Sequence, residues 1–381
     1  MRLLSWLFVS TTLLLTACTA DSYTPAALPT TFETVDGSES TPDRGQHPAS
    51  DRSGLITAGE WNDLDHWGFW QDLTGHQEYG HSISDWGIHT TERIRIQVTD
   101  ASGEPARDVE VRAASGGQHF TTRTDHRGRA ECFFATASDL ELMVDGREVD
   151  ERVTEEVSGA IVVRLDYETE RSGAVDLAFL VDATGSMGDE LEFLKDDLHA
   201  ILQEVGDKHA TIQLRTAAVF YRDTDDAYLT RHSPFTEDLA TMTAFIAQQS
   251  ADGGGDFPEA VHTALQVALH ELRWSTKART RVAFLLLDAP PHSDAQTVAT
   301  YRGLLEEAAA AGIHLVPIVA SGIDKPTEFL MRLTAIVTNG TYVFITDDSG
   351  IGNDHLEPTV GPFEVEYLKD LLLRLIDQSI D

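Results

Sequence analysis

One apolar run limits the fold more than any other feature of this chain. Ala174-Val-Asp-Leu-Ala-Phe-Leu-Val181 is nearly continuous in hydrophobic side chains. A half-buried strand alternates, so an unbroken run of this length reads as a strand covered on both faces. Directly after it, Leu191, Leu194, Leu198, Ile201, Leu202 and Val205 recur at helical spacing. Further strand-like segments are predicted at Gln213 to Phe220, Val282 to Leu287, Ile313 to Val319 and Thr341 to Ile345. Helical stretches separate them at Leu239 to Gln249, Pro258 to Leu272, Thr297 to Ala311, Thr327 to Val337 and Phe363 to Ile380. Such alternation predicts an α/β domain over residues 174–381, built on a doubly wound, mostly parallel sheet. Folds of this kind bind ligands at the carboxyl ends of their strands.

Three polar motifs fall at such ends. The first strand runs into Asp182-Ala-Thr-Gly-Ser186, a glycine-rich loop reads Gly253-Gly-Gly-Asp-Phe-Pro-Glu259, and the strand ending at Leu287 runs into Asp288-Ala-Pro-Pro291. Hard divalent cations prefer carboxylate and hydroxyl oxygens. Asp182, Thr184, Ser186, Asp256 and Asp288 offer such a set. Together the motifs resemble the metal-ion-dependent adhesion site of the von Willebrand factor type A domain, in its bacterial and hemicentin-like form. The resemblance implies magnesium or manganese on those five residues, and a protein partner that completes the coordination shell with a carboxylate. Two residues depart from the integrin-type pattern: Thr184 stands for the middle Ser, and Asp256 for a Thr.

Other chemistry finds little support. Ser186 lacks the GxSxG setting of a hydrolase nucleophile, and no GxxxxGK[ST] sequence is present. Asp347 to Asp354 reads as an acidic turn without calcium-loop spacing. Asp223, Asp225 and Asp226 follow a strand and offer a second cation site as an alternative to solvated turn residues. Glu259 and His292 are expected on the solvated rim of the site. No catalytic residue or organic cofactor is expected, and the chain reads as a binding protein without turnover.

Residues 1–17 read as an export signal, with Arg2 followed by a short apolar run. The run closes as Leu15-Thr16-Ala17-Cys18, which resembles the lipobox of bacterial lipoproteins and implies lipidation at Cys18. Thr19 follows, so the outer membrane is the expected destination in a cell that has one. Residues 18–56 are rich in Ser, Thr, Pro, Asp and Gly and read as a flexible tether.

Residues 57–90 hold four of the six tryptophans, Trp61, Trp67, Trp70 and Trp86, among histidines that include His76 and His81. Aromatics so dense predict a packed mini-core or an interdomain seam. A zinc site that would make the chain an enzyme or enzyme subunit, and a carbohydrate-binding surface, are the competing readings. Residues 91–168 alternate in short segments with turns between them, which predicts a small antiparallel β-sandwich. Val98-Thr-Asp-Ala-Ser-Gly-Glu-Pro105 and Thr124-Asp-His-Arg-Gly128 resemble the immunoglobulin-like regulatory domain found beside carboxypeptidases.

Composition sets the outer limits. The formal charge is −35, which leaves no basic excess to neutralise nucleic-acid phosphates. Only Cys18 and Cys132 are present, so no disulfide framework or cysteine-rich zinc site fits.

Overall fold

In the eight-stranded main sheet, the apolar run forms the strand third from one edge and is buried along its whole length. The computed structural model describes residues 55–136, 138–149, 155–157, 159–169, 173–255, 257–350 and 355–380. The export signal, Cys18 and nearly all of the tether lie outside the described residues, as does Asp256.

In chain order the elements begin with β1 (Thr57–Trp61), α1 (Trp67–Thr74) and α2 (Gln77–Trp86). Eight short strands follow: β2 (Glu92–Thr99), β3 (Glu110–Ser115), β4 (Gln118–Arg123), β5 (Arg129–Phe134), β6 (Glu141–Val144), β7 (Arg147–Glu148), β8 (Glu155–Val157) and β9 (Ala160–Arg164). The larger domain then runs β10 (Ala174–Asp182), α3 (Gly188–Lys208), β11 (Gln213–Tyr221), β12 (Thr230–Thr236), α4 (Leu239–Ala247) and α5 (Val261–His270). It closes with β13 (Thr280–Leu287), α6 (Ala295–Ala311), β14 (Ile313–Val319), α7 (Lys325–Val337), β15 (Tyr342–Ile345), β16 (Glu366–Tyr367) and α8 (Leu368–Ile380).

The main sheet has the order β12-β11-β10-β13-β14-β15-β1-β16, with β11, β10, β13, β14 and β15 parallel. Side chains alternate between two cores. Ala178, Leu180, Ala283 and Leu285 face α5, α6 and α7. Val175, Leu177, Phe179 and Val181 face α3, α4 and α8. Caps set the helix ends: the Asp294 carboxylate accepts from the Gln296 and Thr297 N–H groups, and α6 stops at the left-handed Gly312.

The sheet does not begin at Ala174. β1 pairs antiparallel with β15 and with β16, so a segment far upstream completes the sheet and the sandwich is inserted between them. The tryptophan-rich segment packs with this sheet: Trp61, Trp70 and Trp86 are buried in its core, and Trp70 stacks on Phe329. Hydrophobic burial explains the dense aromatics, and three of the four rings are not presented to a sugar. Among the described residues, no three His, Cys, Asp or Glu side chains of this segment or any other form a metal-holding group.

The sandwich consists of the sheets β5-β2-β9-β8 and β4-β3-β6-β7 around a core that contains Cys132. It departs from the antiparallel expectation in one pair, since β2 and β9 run parallel. It contacts the amino end of the main strands. The Asp108 carboxylate accepts from Arg281 Nη1 at 2.9 Å and Nη2 at 3.1 Å, and from Arg123 Nε at 2.5 Å. Seven residue steps along extended β13 then separate Arg281 from Asp288, about 23 Å.

Candidate metal centre

β10 and β13 are neighbours in the sheet, with Val181 opposite Leu286. Asp182 at the end of one strand therefore lies beside Asp288 just past the other. A tight turn over Gly185–Met187 brings the first motif back on itself. Thr184 donates from its N–H (2.9 Å) and from its hydroxyl (2.8 Å) to Asp182 Oδ1, and the Thr184 and Ser186 hydroxyl oxygens are 3.2 Å apart. Four of the five expected ligand residues are thus gathered at one strand-end site. The fifth, Asp256, is carried by the glycine-rich loop, whose Gly253 carbonyl accepts from Gly185 N–H at 3.1 Å.

The electrostatics are unusual for buried carboxylates. Asp182 Oδ2 and Asp288 Oδ1 are buried and have no hydrogen-bond partner. Burial first, and the neighbouring Asp288 charge second, push the Asp182 carboxyl up to about 7, against the opposing pull of Thr184. Burial likewise pushes Asp288 up to about 6; the Ser186 hydroxyl opposes this and the Glu190 charge adds to it. Tyr221, fully buried, has its hydroxyl proton held by burial and by the adjacent Asp182, Asp288 and Glu259 charges. Its hydroxyl sits near Asp182 but outside hydrogen-bonding geometry. Buried acceptors left unpaired are costly unless a cation or proton joins them. Two hydroxyls and the Asp182 and Asp288 carboxylates match the oxygen preference of magnesium and manganese, so the residues present fit such an ion.

Glu259 corrects the solvated-rim expectation. It is only 3% exposed, its Oε2 lacks a partner, and burial together with the Asp182 and Asp223 charges pushes it up to about 9. Its N–H bonds to Pro290 O at 2.9 Å, which ties the glycine-rich loop to the Asp288 loop. Nothing in its local sequence separates a solvated Glu from an inward one; the pairing with the Asp288 loop places it inside. Glu190 carries no comparable signal in its local sequence. It is buried in the first turn of α3, where it accepts from Ser321 N–H at 2.9 Å and lies 3.4 Å from His355 Nε2. His355 Nδ1 is 2.8 Å from Asp347 on the other side. Burial acts to lower the His355 pKa, but the two carboxylates raise it more.

The acidic trio after β11 is engaged otherwise. The Asp226 carboxylate accepts backbone N–H groups, Asp223 Oδ1 is 2.8 Å from His292 Nε2, and Asp225 is exposed. The trio does not converge on a second cation position.

Residues 176–317 match the family model of the von Willebrand factor A domain. A putative ariadne-like RING finger protein of Acanthamoeba polyphaga mimivirus is 34% identical over 192 residues, which cover 46% of this chain and 19% of that protein. An alpha-protein kinase of Dictyostelium discoideum is 32% identical over 133 residues, 34% of this chain and 21% of the kinase. The chain spans about a fifth of the length of these curated relatives. The crystal structure of the conserved hypothetical protein BatB from Bacteroides thetaiotaomicron covers 54% of this chain and 98% of its own, at 14% identity and a TM-score of 0.37.

Proposed function

We propose that this chain, which carries a von Willebrand factor A domain over residues 176–317, is an exported, lipid-anchored protein that binds another protein through a divalent cation and catalyses no reaction. Asp182, Thr184, Ser186, Asp256 and Asp288 would hold magnesium or manganese, and Cys18 would carry the lipid. The observation that carries this reading is the pair of buried, unpartnered carboxylate oxygens on Asp182 and Asp288 beside two hydroxyls. Magnesium or manganese bound there would supply a coordination position for an oxygen of the partner.

The chain's own residues account for the rest. Thr184 fixes the Asp182 carboxylate so that one oxygen is engaged and the other remains for the ion. With Asp182, Asp256 and Asp288 ionised, three negative charges would face two positive ones. The field at the surface stays anionic, so the partner that suits it presents a neutral or basic surface around its ligating group.

Thermal unfolding with and without magnesium tests the reading. At a cation concentration about 100 times its Kd, stabilisation of about 2.7 kcal/mol is expected for the unaltered chain. Asp182→Ala or Ser186→Ala should abolish it, and the same variants should lose a chelator-sensitive crosslink to an envelope protein. Full magnesium stabilisation in both variants would remove the site from consideration.

A further inference from the structure

We propose that the loop over residues 222–229, between β11 and β12, is a clamp for the metal centre, with Asp226 and Arg222 as positioning residues. They hold the glycine-rich loop in place over Ser250 to Gly254. The proposal rests on the metal reading above and extends it to residues that donate nothing to the ion.

The glycine-rich segment from Gln249 to Gly255 belongs to no helix or strand, so side chains and neighbouring loops must hold its backbone. Arg222 Nη2 donates to Ser250 O at 2.7 Å, and its Nη1 is 3.8 Å from Asp252 Oδ2. Gly254 N–H donates to both Asp226 carboxylate oxygens, at 2.9 and 3.1 Å. From the first metal loop, Ala183 O accepts from Asp252 N–H at 3.1 Å. The clamp is itself braced. Asp223 N–H donates to Asp226 Oδ2 at 3.1 Å, and the Arg222 guanidinium stacks on Tyr228 at 4.5 Å. His292, which bonds to Asp223, sits on the Asp288 loop. One loop therefore reaches two of the three loops of the centre.

The glycines show that this approach is built in. Gly253 and Gly254 have φ of 81° and 73°, a region other residues rarely adopt. A Cβ at Gly253 would lie 2.0 Å from Asp226 Oδ1, so only glycine lets the carboxylate come this close. An oxygen that accepts two backbone N–H groups is turned toward positive hydrogen, where a cation would be repelled. Charge-assisted bonds of this type are stronger than neutral ones, which suits a role in orientation.

Calorimetric titration of Mn2+ into the full chain tests the clamp. Removing a partner that orients metal ligands typically weakens binding about 10–100-fold, and that loss is expected for Asp226→Ala. Asp226→Asn, whose amide oxygen still accepts Gly254 N–H, should recover most of the affinity. The chelated Asp226→Ala protein should unfold within a few degrees of the unaltered one, because the bond lies on a partly exposed loop. Affinity within about twofold of the unaltered chain, or a lowered chelated midpoint with affinity unchanged, would overturn the proposal. Should Asp226→Ala fail to fold, His292→Ala, which cuts the brace to the Asp288 loop, is expected to weaken Mn2+ several-fold. Unaltered affinity there would overturn it equally. An unaltered chain that binds no Mn2+ would instead sink the metal reading itself, which is a different result.

Discussion

Removing Asp63 gives the sharpest test of how the upstream segment supports the main domain. Asp63 follows β1 and its carboxylate is buried against the guanidinium of Arg332 on α7, with side-chain exposures of 2% and 1%. Arg332 Nε donates to Oδ2 at 2.9 Å and Nη2 to Oδ1 at 2.6 Å, while Trp61 Nε1 donates to Oδ1 at 3.0 Å. Asp63→Ala leaves the guanidinium buried without its bidentate partner, a loss of about 3–5 kcal/mol for pairs of this kind. Glu328 Oε1, 3.7 Å from Nη1, and the Thr359 carbonyl compensate in part, which places the pair near the lower end, about 3 kcal/mol. The orphaned Trp61 N–H adds about 1 kcal/mol. A total of about 4 kcal/mol, at about 2 °C per kcal/mol for a domain of this size, lowers the midpoint by about 8 °C. Equilibrium urea unfolding would measure the free energy and calorimetry the midpoint. The companion variant Asp63→Leu/Arg332→Met removes both charges and should regain most of the loss, since the cost lies in the unpaired buried ion. A double variant as unstable as Asp63→Ala, or a single loss under about 1 kcal/mol, would refute the reasoning.

Two further outcomes are expected. In chelated protein, the raised Asp182 carboxyl, about 7 against an ordinary 3.8, keeps its proton in the folded state over a range where the unfolded chain has lost it. The folded state then binds more protons, so stability should rise as pH falls from about 7 toward 4, and Asp182→Asn should flatten that slope in thermal scans; an equally steep slope in the variant would remove Asp182 as its source. Cys18→Ala should leave the fold intact but unlipidated, and metabolic labelling with a palmitate analogue that still marks the variant would rule out the lipobox assignment.

Much of the α/β domain was legible because its signals are local. Five parallel strands and six helices follow from apolar runs and helical spacing, and β14 falls at Ile313–Val319 as the pattern predicts. Asp182, Thr184, Ser186 and Asp288 could be read because a parallel sheet puts strand ends at one edge, whatever lies between them in sequence. The remaining features depend on partners remote in the chain. Pairing of β1 with β15 joins residues nearly three hundred apart, and no periodicity in Thr57–Trp61 names its neighbour. The tryptophans announced burial, but not which core they would enter.

Charge was the least readable property. Asp226, Glu259 and Asp223 are equal in sequence, each an acidic residue beside a turn. Backbone N–H groups capture the first, a Pro290 carbonyl accepts from the main chain of the second, and His292 hydrogen-bonds the third. Sequence alone determined the strand-and-helix order and which residues are candidate oxygen donors, since both are written in neighbouring residues. Only the tertiary structure decided which carboxylates are buried without a partner and which serve to hold a loop, because desolvation and hydrogen bonding depend on atoms that the chain brings together from far apart.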